Sequence, residues 1–329
     1  MDLQSYRPAL DQHGLLTHRQ ALATGLSPAD VARLVRERAW VRVRKGVYAD
    51  HDWWQALDAH RARPVARIHA AALVIGTDGV FSHDSSALLL RMGVPDARAS
   101  LVHRTRSRVH GTRIRAGIKH HGAPYLPEHA TTVGGVPALG AARTAIDLAR
   151  EHGRDAGVAA CDQALRRGVS RAELAAIADF MHCWPGSRAV RAAVELADAG
   201  SESWLESLGR MLVTDLGIGR PETQFGLTDG SRTVWCDLRV GRHVFEVDGH
   251  LKYLDGDVPD PAALWKEKKR QDFITGFKLG MSRITAHDCG AGRVVALRRL
   301  AREQADTVAR FGTDTADLAP YVVTRPRRL

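Results

Sequence analysis

Cysteine is scarce in this chain of 329 residues: Cys161, Cys183, Cys236 and Cys289 stand far apart, and no two share a CxxC spacing. That pattern does not make a disulfide framework, and it points to reduced, mostly buried thiols. No apolar run approaches the roughly 20 residues that a membrane-spanning helix needs. The opening M-D-L-Q-S-Y-R-P lacks the apolar core of a signal peptide, so a cytoplasmic location and no membrane partner are expected. Ligand spacing is missing as well. The chain has 16 histidines, yet His120-His121 and the isolated His51, His60 and His69 fit no metal motif, and surface or hydrogen-bonded core positions are expected for them.

What is present is a 44% hydrophobic composition, enough for a sizeable core, on a length that suggests roughly two or three domains. Lys and Arg number 47 against 37 acidic residues, a formal charge of +10 carried mainly by arginine. Such an excess favours polyanionic partners through counterion release.

The first fifty residues read as one unit. Thr17-His18-Arg19-Gln20 has capping-box spacing and opens a helix over 19–24 that Gly25 ends. Ser27-Pro28-Ala29-Asp30 opens a second helix, with Ser27 as N-cap, Pro28 at the first helical position and an apolar stripe of Val31, Leu34 and Val35. Arg33 and Arg36 lie off that stripe. The following W-V-R-V-R-K-G-V-Y alternates apolar and basic residues as a two-stranded wing does. In a winged helix the second helix enters the major groove, so Arg33 and Arg36 can reach bases or phosphates, while Arg42, Arg44 and Lys45 contact phosphates. These segments, H-G-L-L-T-H-R-Q-A-L-A-T-G-L-S with R-K-G-V-Y, resemble the N-terminal domain of AbiE-type antitoxins from type IV toxin–antitoxin systems. The resemblance implies promoter DNA as a partner and, beside it, a cognate toxin protein.

Residues 52–199 read as a mixed α/β body. The Ala-rich 53–76 stretch is helical with a break at Pro64, Ser82-His83-Asp84-Ser85-Ser86 reads as a capped helix start, and 99–103 and 112–118 read as strands around a basic turn. S-H-D-S-S-A, V-G-G-V-P and A-R-T-A-I-D-L-A-R also resemble the region that follows the winged helix in AbiE-like antitoxins. No residue in this body receives a catalytic assignment.

The last third is organised around V-W-C-D-L-R-V-G-R-H-V-F-E-V-D-G-H-L-K, a β-hairpin with strands over 234–240 and 243–247 and a turn at Gly241-Arg242. Antiparallel pairing brings Asp237 toward Glu246, and Asp248 shares the face of Glu246. Carboxylates gathered this way repel one another unless a cation or a proton intervenes, which makes them candidate metal ligands. Ser203 and Glu206 have capping-box spacing at the start of the preceding helix, a structural reason for Glu206 to be there. E-V-D-G-H-L-K-Y, then L-W-K-E-K-K-R-Q-D and F-K-L-G-M-S-R-I-T-A-H-D, resemble the very-short-patch-repair-like endonucleases of the PD-(D/E)XK superfamily over 201–289. That resemblance implies Asp237 and Glu246 as metal ligands and Glu206 as the upstream helix acid; Asp248 departs from it, standing where the pattern has a lysine that Lys252 would replace, and by its own chemistry is a candidate ligand for a second ion. Lys266, Lys269 and Arg270 on the next helix are expected to hold a phosphate backbone.

The expected architecture is α/β (α+β) and multidomain: a winged helix-turn-helix over 1–51, a mixed middle domain over 52–199, and a restriction-endonuclease-like α/β domain with a terminal helix over 200–329. The expected function is a DNA-binding nuclease of phage defence or DNA repair that uses Mg²⁺ or Mn²⁺, with Asp237, Glu246 and Lys252 catalytic. The alternative is a non-catalytic AbiE-like antitoxin or transcriptional regulator with a degenerate nuclease fold.

Overall fold

Capping chemistry at both ends of a short turn sets the N-terminal architecture. A computed structural model describes residues 12–96, 101–248 and 261–323. In it β1 (Leu15–Thr17) leads into α1 (His18–Ala23) and α2 (Pro28–Arg36), and both helices begin with complete capping boxes, Thr17 with Gln20 and Ser27 with Asp30. Strands β2 (Trp40–Arg44) and β3 (Val47–Asp50) form the wing. The sheet order is β1-β3-β2, all antiparallel. Alternation along the strands serves two cores. Leu16, Trp40 and Tyr48 pack under Val31 and Leu34 of the helix pair, while Leu15, Val47 and Ala49 face Trp54, Ala66 and Ala70 behind the sheet. Each fully buried apolar side chain contributes about 1.5–3 kcal/mol.

Those last residues belong to α3 (His51–Ala56) and α4 (Ala62–Ala72), so the winged helix shares a core with the chain that follows it. Pro64 sits in the first turn of α4, where a missing N–H costs nothing. Next come β4 (Val80–Phe81), α5 (His83–Leu89), β5 (Val102–Arg106), β6 (Thr112–Arg115), β7 (Ile118–Gly122), β8 (Ala130–Val133) and β9 (Val136–Leu139). They build a mixed six-stranded sheet of order β6-β7-β5-β4-β9-β8. The strand expected over 112–118 is two strands, because Ala116 and Gly117, at φ 48 and 73, reverse the chain into a hairpin. The expected side-chain cap at Ser82 is not formed; its hydroxyl lies 3.0 Å from His83 Nδ1 instead. Helices α6 (Ala141–His152), α7 (Arg154–Arg166), α8 (Arg171–Phe180) and α9 (Ser187–Leu196) follow.

Contacts divide the chain into two units, Met1–Glu195 and Leu196–Leu329. The second contains α10 (Trp204–Thr214), β10 (Glu222–Thr228), β11 (Thr233–Val240), β12 (His243–Asp248), α11 (Pro261–Gly276), β13 (Gly280–Thr285), α12 (Ala286–Cys289), α13 (Arg293–Phe311) and β14 (Val322–Val323). Its sheet runs β13-β12-β11-β10-β14, antiparallel except for the β12–β13 pair. A parallel pair needs a crossover, and the chain between these strands carries α11. Leu238, Val240 and Phe245 pack with Leu212 and Val213 of α10 and Ala296 and Leu300 of α13. On the other side Val234, Cys236 and Val244 pack with Ile274 of α11. The chain is therefore a mixed α/β fold of more than one sheet. No helix among the described residues is long and apolar enough to cross a membrane.

Candidate functional site

Helix α2 buries Val31 and Leu34 and leaves Arg33 and Arg36 exposed, as its 3.6-residue period requires. The Arg33 guanidinium lies 2.9 Å from Asp30, the residue that completes the Ser27 capping box, so it is partly engaged on its own helix. In the wing, Arg42 and Lys45 are exposed on either side of a register shift between Arg42 and Arg44. Arg44 is half-buried and donates to the Ala116 carbonyl at 3.2 Å. It ties the wing to the β6–β7 turn rather than projecting beside Arg42. Arg36, Arg42 and Lys45 are thus exposed cations of the helix pair and wing.

The acidic site of the second unit is built at a break in its sheet. The β10–β11 ladder runs through Thr223↔Leu238 and Phe225↔Cys236 but omits Gln224 and Asp237 between them, and Gln224 takes φ 52. Side chains of one parity accordingly divide between two cores, Leu238 and Val240 on one side, Val234 and Cys236 on the other. Asp237 leaves the ladder, and its Oδ2 accepts the Val247 N–H at 2.7 Å. Opposite stands Glu246, only 9% exposed. Glu206 comes from the first turn of α10; its N–H bonds Ser203 Oγ at 3.1 Å while its carboxylate takes the Glu202 N–H at 2.7 Å. The expected reciprocal box is therefore not closed on Ser203, and the Glu206 carboxylate also lies 3.4 Å from Gln224 Nε2.

Burial raises all three carboxyls above their ordinary range. Glu206 is raised by burial and by the Asp237 charge, Asp237 by burial, and Glu246 by burial to about 7, although Arg270 pulls the last one down. The cation that answers them comes from α11. Arg270 meets Glu246 with two prongs, at 2.8 and 3.0 Å, and donates to the Trp235 carbonyl at 2.6 Å. Arg270 is thus turned inward onto the acids, whereas Lys266 and Lys269 are exposed. Asp248, at the end of β12, lies 3.8 Å from Arg283. Lys252 lies outside the described residues.

Fit to a divalent ion can be judged from these contacts. Mg²⁺ or Mn²⁺ is held by as few as one or two carboxylates and keeps several waters, so what decides is whether those carboxylates are open to an ion. Among the described residues no three of these acids bring ligand oxygens within 4.8 Å of one another, and Glu246 is held in a two-pronged ion pair. The Glu246 carboxylate is thus occupied by Arg270, and an ion there would have to displace that guanidinium.

The ligand-grade group among the described residues lies in the first unit, where sequence spacing shows nothing: His83, His103 and His121 each offer a ring nitrogen, all within 4.8 Å of one another. Their separations of 20 and 18 residues match no ligand motif, and the parallel pairing of β5 with β7 is what unites two of them. The signal available in sequence was weak: a histidine inside each of two short apolar-basic strands.

Comparison with known proteins locates one resemblance. The family described as transcriptional regulator, AbiEi antitoxin, matches residues 6–49. The match spans the helix pair and the wing and does not extend to the acidic site. No curated protein matches the chain.

Proposed function

We propose that this chain is a DNA-binding transcriptional regulator of the antitoxin kind. It would grip operator DNA through its N-terminal winged helix, and its C-terminal acidic site serves architecture, not cleavage. The observation that carries the reading is the exposed set Arg36, Arg42 and Lys45 on a capped helix pair and wing, inside the segment that resembles AbiEi regulators. Helix α2, nine residues long, has with its side chains the diameter of about 10–12 Å that a major groove roughly 12 Å wide admits. Arg36 faces base edges or phosphates, and Arg42 and Lys45 neutralise phosphates. Arg33 contributes after exchanging Asp30 for DNA. A cognate toxin protein is the partner such a regulator would control.

The nuclease alternative would require the acids to exchange Arg270 for Mg²⁺ or Mn²⁺. The ion pair argues against it: the repulsion that made these carboxylates look like metal ligands is answered by a side chain of the same fold. The test is to incubate the protein with linear and supercoiled DNA that includes the region upstream of its own coding sequence, in Mg²⁺, Mn²⁺ or chelator. Retarded but intact DNA in all three conditions is expected. Metal-dependent cleavage that Asp237→Ala abolishes would overturn the proposal.

A further inference from the structure

Three buried imidazoles meet beneath the six-stranded sheet, from three separate elements. His83 is the first residue of α5, His103 lies in β5 and His121 in β7, and they are 4%, 3% and 7% exposed. The β5–β7 register sets Thr105 against His121, which places His121 diagonal to His103 on one face. His121 Nε2 is 3.1 Å from His103 Nδ1, and the His121 ring stacks on His83 at 3.8 Å. Helix α5 is anchored here by the Ser85 hydroxyl, which accepts the His103 N–H at 2.8 Å.

We propose that His83, His103 and His121 bind one transition-metal ion of the class that imidazole favours, Zn²⁺ first among them. The site is independent of the DNA-binding reading and of the acidic site in the second unit. Three observations carry it. First, two ligand atoms on a tetrahedral ion at about 2.1 Å are about 3.4 Å apart, and the His103 and His121 nitrogens, at 3.1 Å, need only a small separation to reach it.

Second, one outward ring nitrogen is hydrogen-bonded to an oxygen and another has a carboxylate nearby, the kind of partner that fixes the orientation of metal-bound histidines. His83 Nδ1 lies 3.0 Å from Ser82 Oγ, leaving Nε2 for the ion. His103 Nε2 lies 3.9 Å from Asp84 Oδ2, and the other oxygen of Asp84 is held by His152 at 2.6 Å. Third, His83 has φ 48, a left-handed conformation that a residue with a Cβ pays to adopt. It turns the imidazole at the helix start into the group.

Three desolvated imidazoles are a costly way to fill a core that Leu or Val would fill well, and an ion offsets that cost. Coordination asks the His83 ring to turn out of its stack on His121. Asp84 and the fully buried Asp147, the latter 3.9 Å from His83 Nε2, supply negative charge beside a dication. Three protein ligands leave a fourth position on a tetrahedral ion. Arg143 and Arg150 already face Asp147, and Lys119 pairs with Glu151, so Asp84 is the carboxylate left to answer the ion.

The experiment uses the full chain with any polyhistidine tag removed. Chelator-treated protein is titrated with Zn²⁺ by calorimetry and with Co²⁺ by absorbance, and its folding is checked by circular dichroism. About one ion per chain is expected, with the intense visible bands of four-coordinate Co²⁺ and a raised melting temperature. His103→Gln and His121→Gln should each weaken binding by about a hundredfold or more, and Asp84→Asn by about tenfold. His110→Ala, a change at an exposed position, should leave binding unchanged. Folded wild-type protein that takes up no Zn²⁺, or a weak six-coordinate Co²⁺ spectrum, would overturn the proposal even if the variants failed to fold. Zn²⁺ retained at wild-type affinity by folded His103→Gln would place the ion elsewhere and overturn it too.

Discussion

The winged helix and the acidic site of the second unit use their cations in opposite ways. In the first, Arg36, Arg42 and Lys45 are exposed around a small core. In the second, Arg270 is drawn inward and closes on Glu246 with two prongs while donating to the Trp235 carbonyl. Charge left at the surface addresses a partner, and charge consumed inside a fold addresses the fold. The contrast teaches that a cluster of carboxylates has to be weighed against the nearest cation of its own fold.

The largest expected effect falls on the internal pair. Arg270→Ala leaves a buried Glu246 without its partner and should cost about 3 kcal/mol in urea unfolding. Glu246→Gln in the same background should recover part of that loss. An Arg270→Ala protein that kept wild-type stability, and gained more from Mg²⁺ than the wild type does, would break the comparison, because the acids would then be built for an ion.

Next comes the pH dependence of the same group. Glu246 is raised from 4.5 to about 7 in the fold, so between those values the folded state holds a proton that the unfolded state has lost. Its contribution to stability is greatest near pH 4.5 and is lost as pH rises toward 7. The difference in unfolding free energy between wild type and Glu246→Gln should therefore slope across pH 4.5–7 and flatten above it. A difference independent of pH across that window would show an ordinary, solvated carboxylate.

On the other side of the comparison, Arg36→Ala should weaken binding to operator DNA by about 2 kcal/mol, roughly thirtyfold, measured by fluorescence anisotropy. Lys45→Ala should weaken binding to all sequences alike and reduce the salt slope by about one. Smallest is the scaffold itself: Ser27→Ala removes one half of the α2 capping box and should cost about 1 kcal/mol.

The winged helix was legible because its signals are local. Thr17 with Gln20, and Ser27 with Pro28 and Asp30, announce helix starts within four residues, and the hairpin turn at Gly241-Arg242 is equally local, with Gly241 at φ 55. Strand β1 was not legible, since its three residues show no periodicity and owe their conformation to pairing with β3. The division of 112–118 at Ala116-Gly117 was missed because a non-glycine residue accepts a left-handed turn there. Convergence of Asp237 with Glu246 could be read from antiparallel pairing. Arg270 could not be read as their counter-ion, because it arrives through a crossover helix 24 residues after Glu246. The histidine group was hidden for the same reason: its members meet through a parallel strand pair and a helix start, and periodicity carries no trace of either.

The most direct test of the central claim is a salt series of binding to a duplex from the chain's own upstream region, in chelator, for wild type and for Arg36→Ala/Arg42→Ala/Lys45→Ala. Contacts by these three cations predict that log K falls with log salt at a slope of about −3 or steeper for the wild type, and that the triple variant loses about 3 from that slope. A triple variant that bound with the affinity and slope of the wild type would contradict the account and move the DNA surface away from the winged helix.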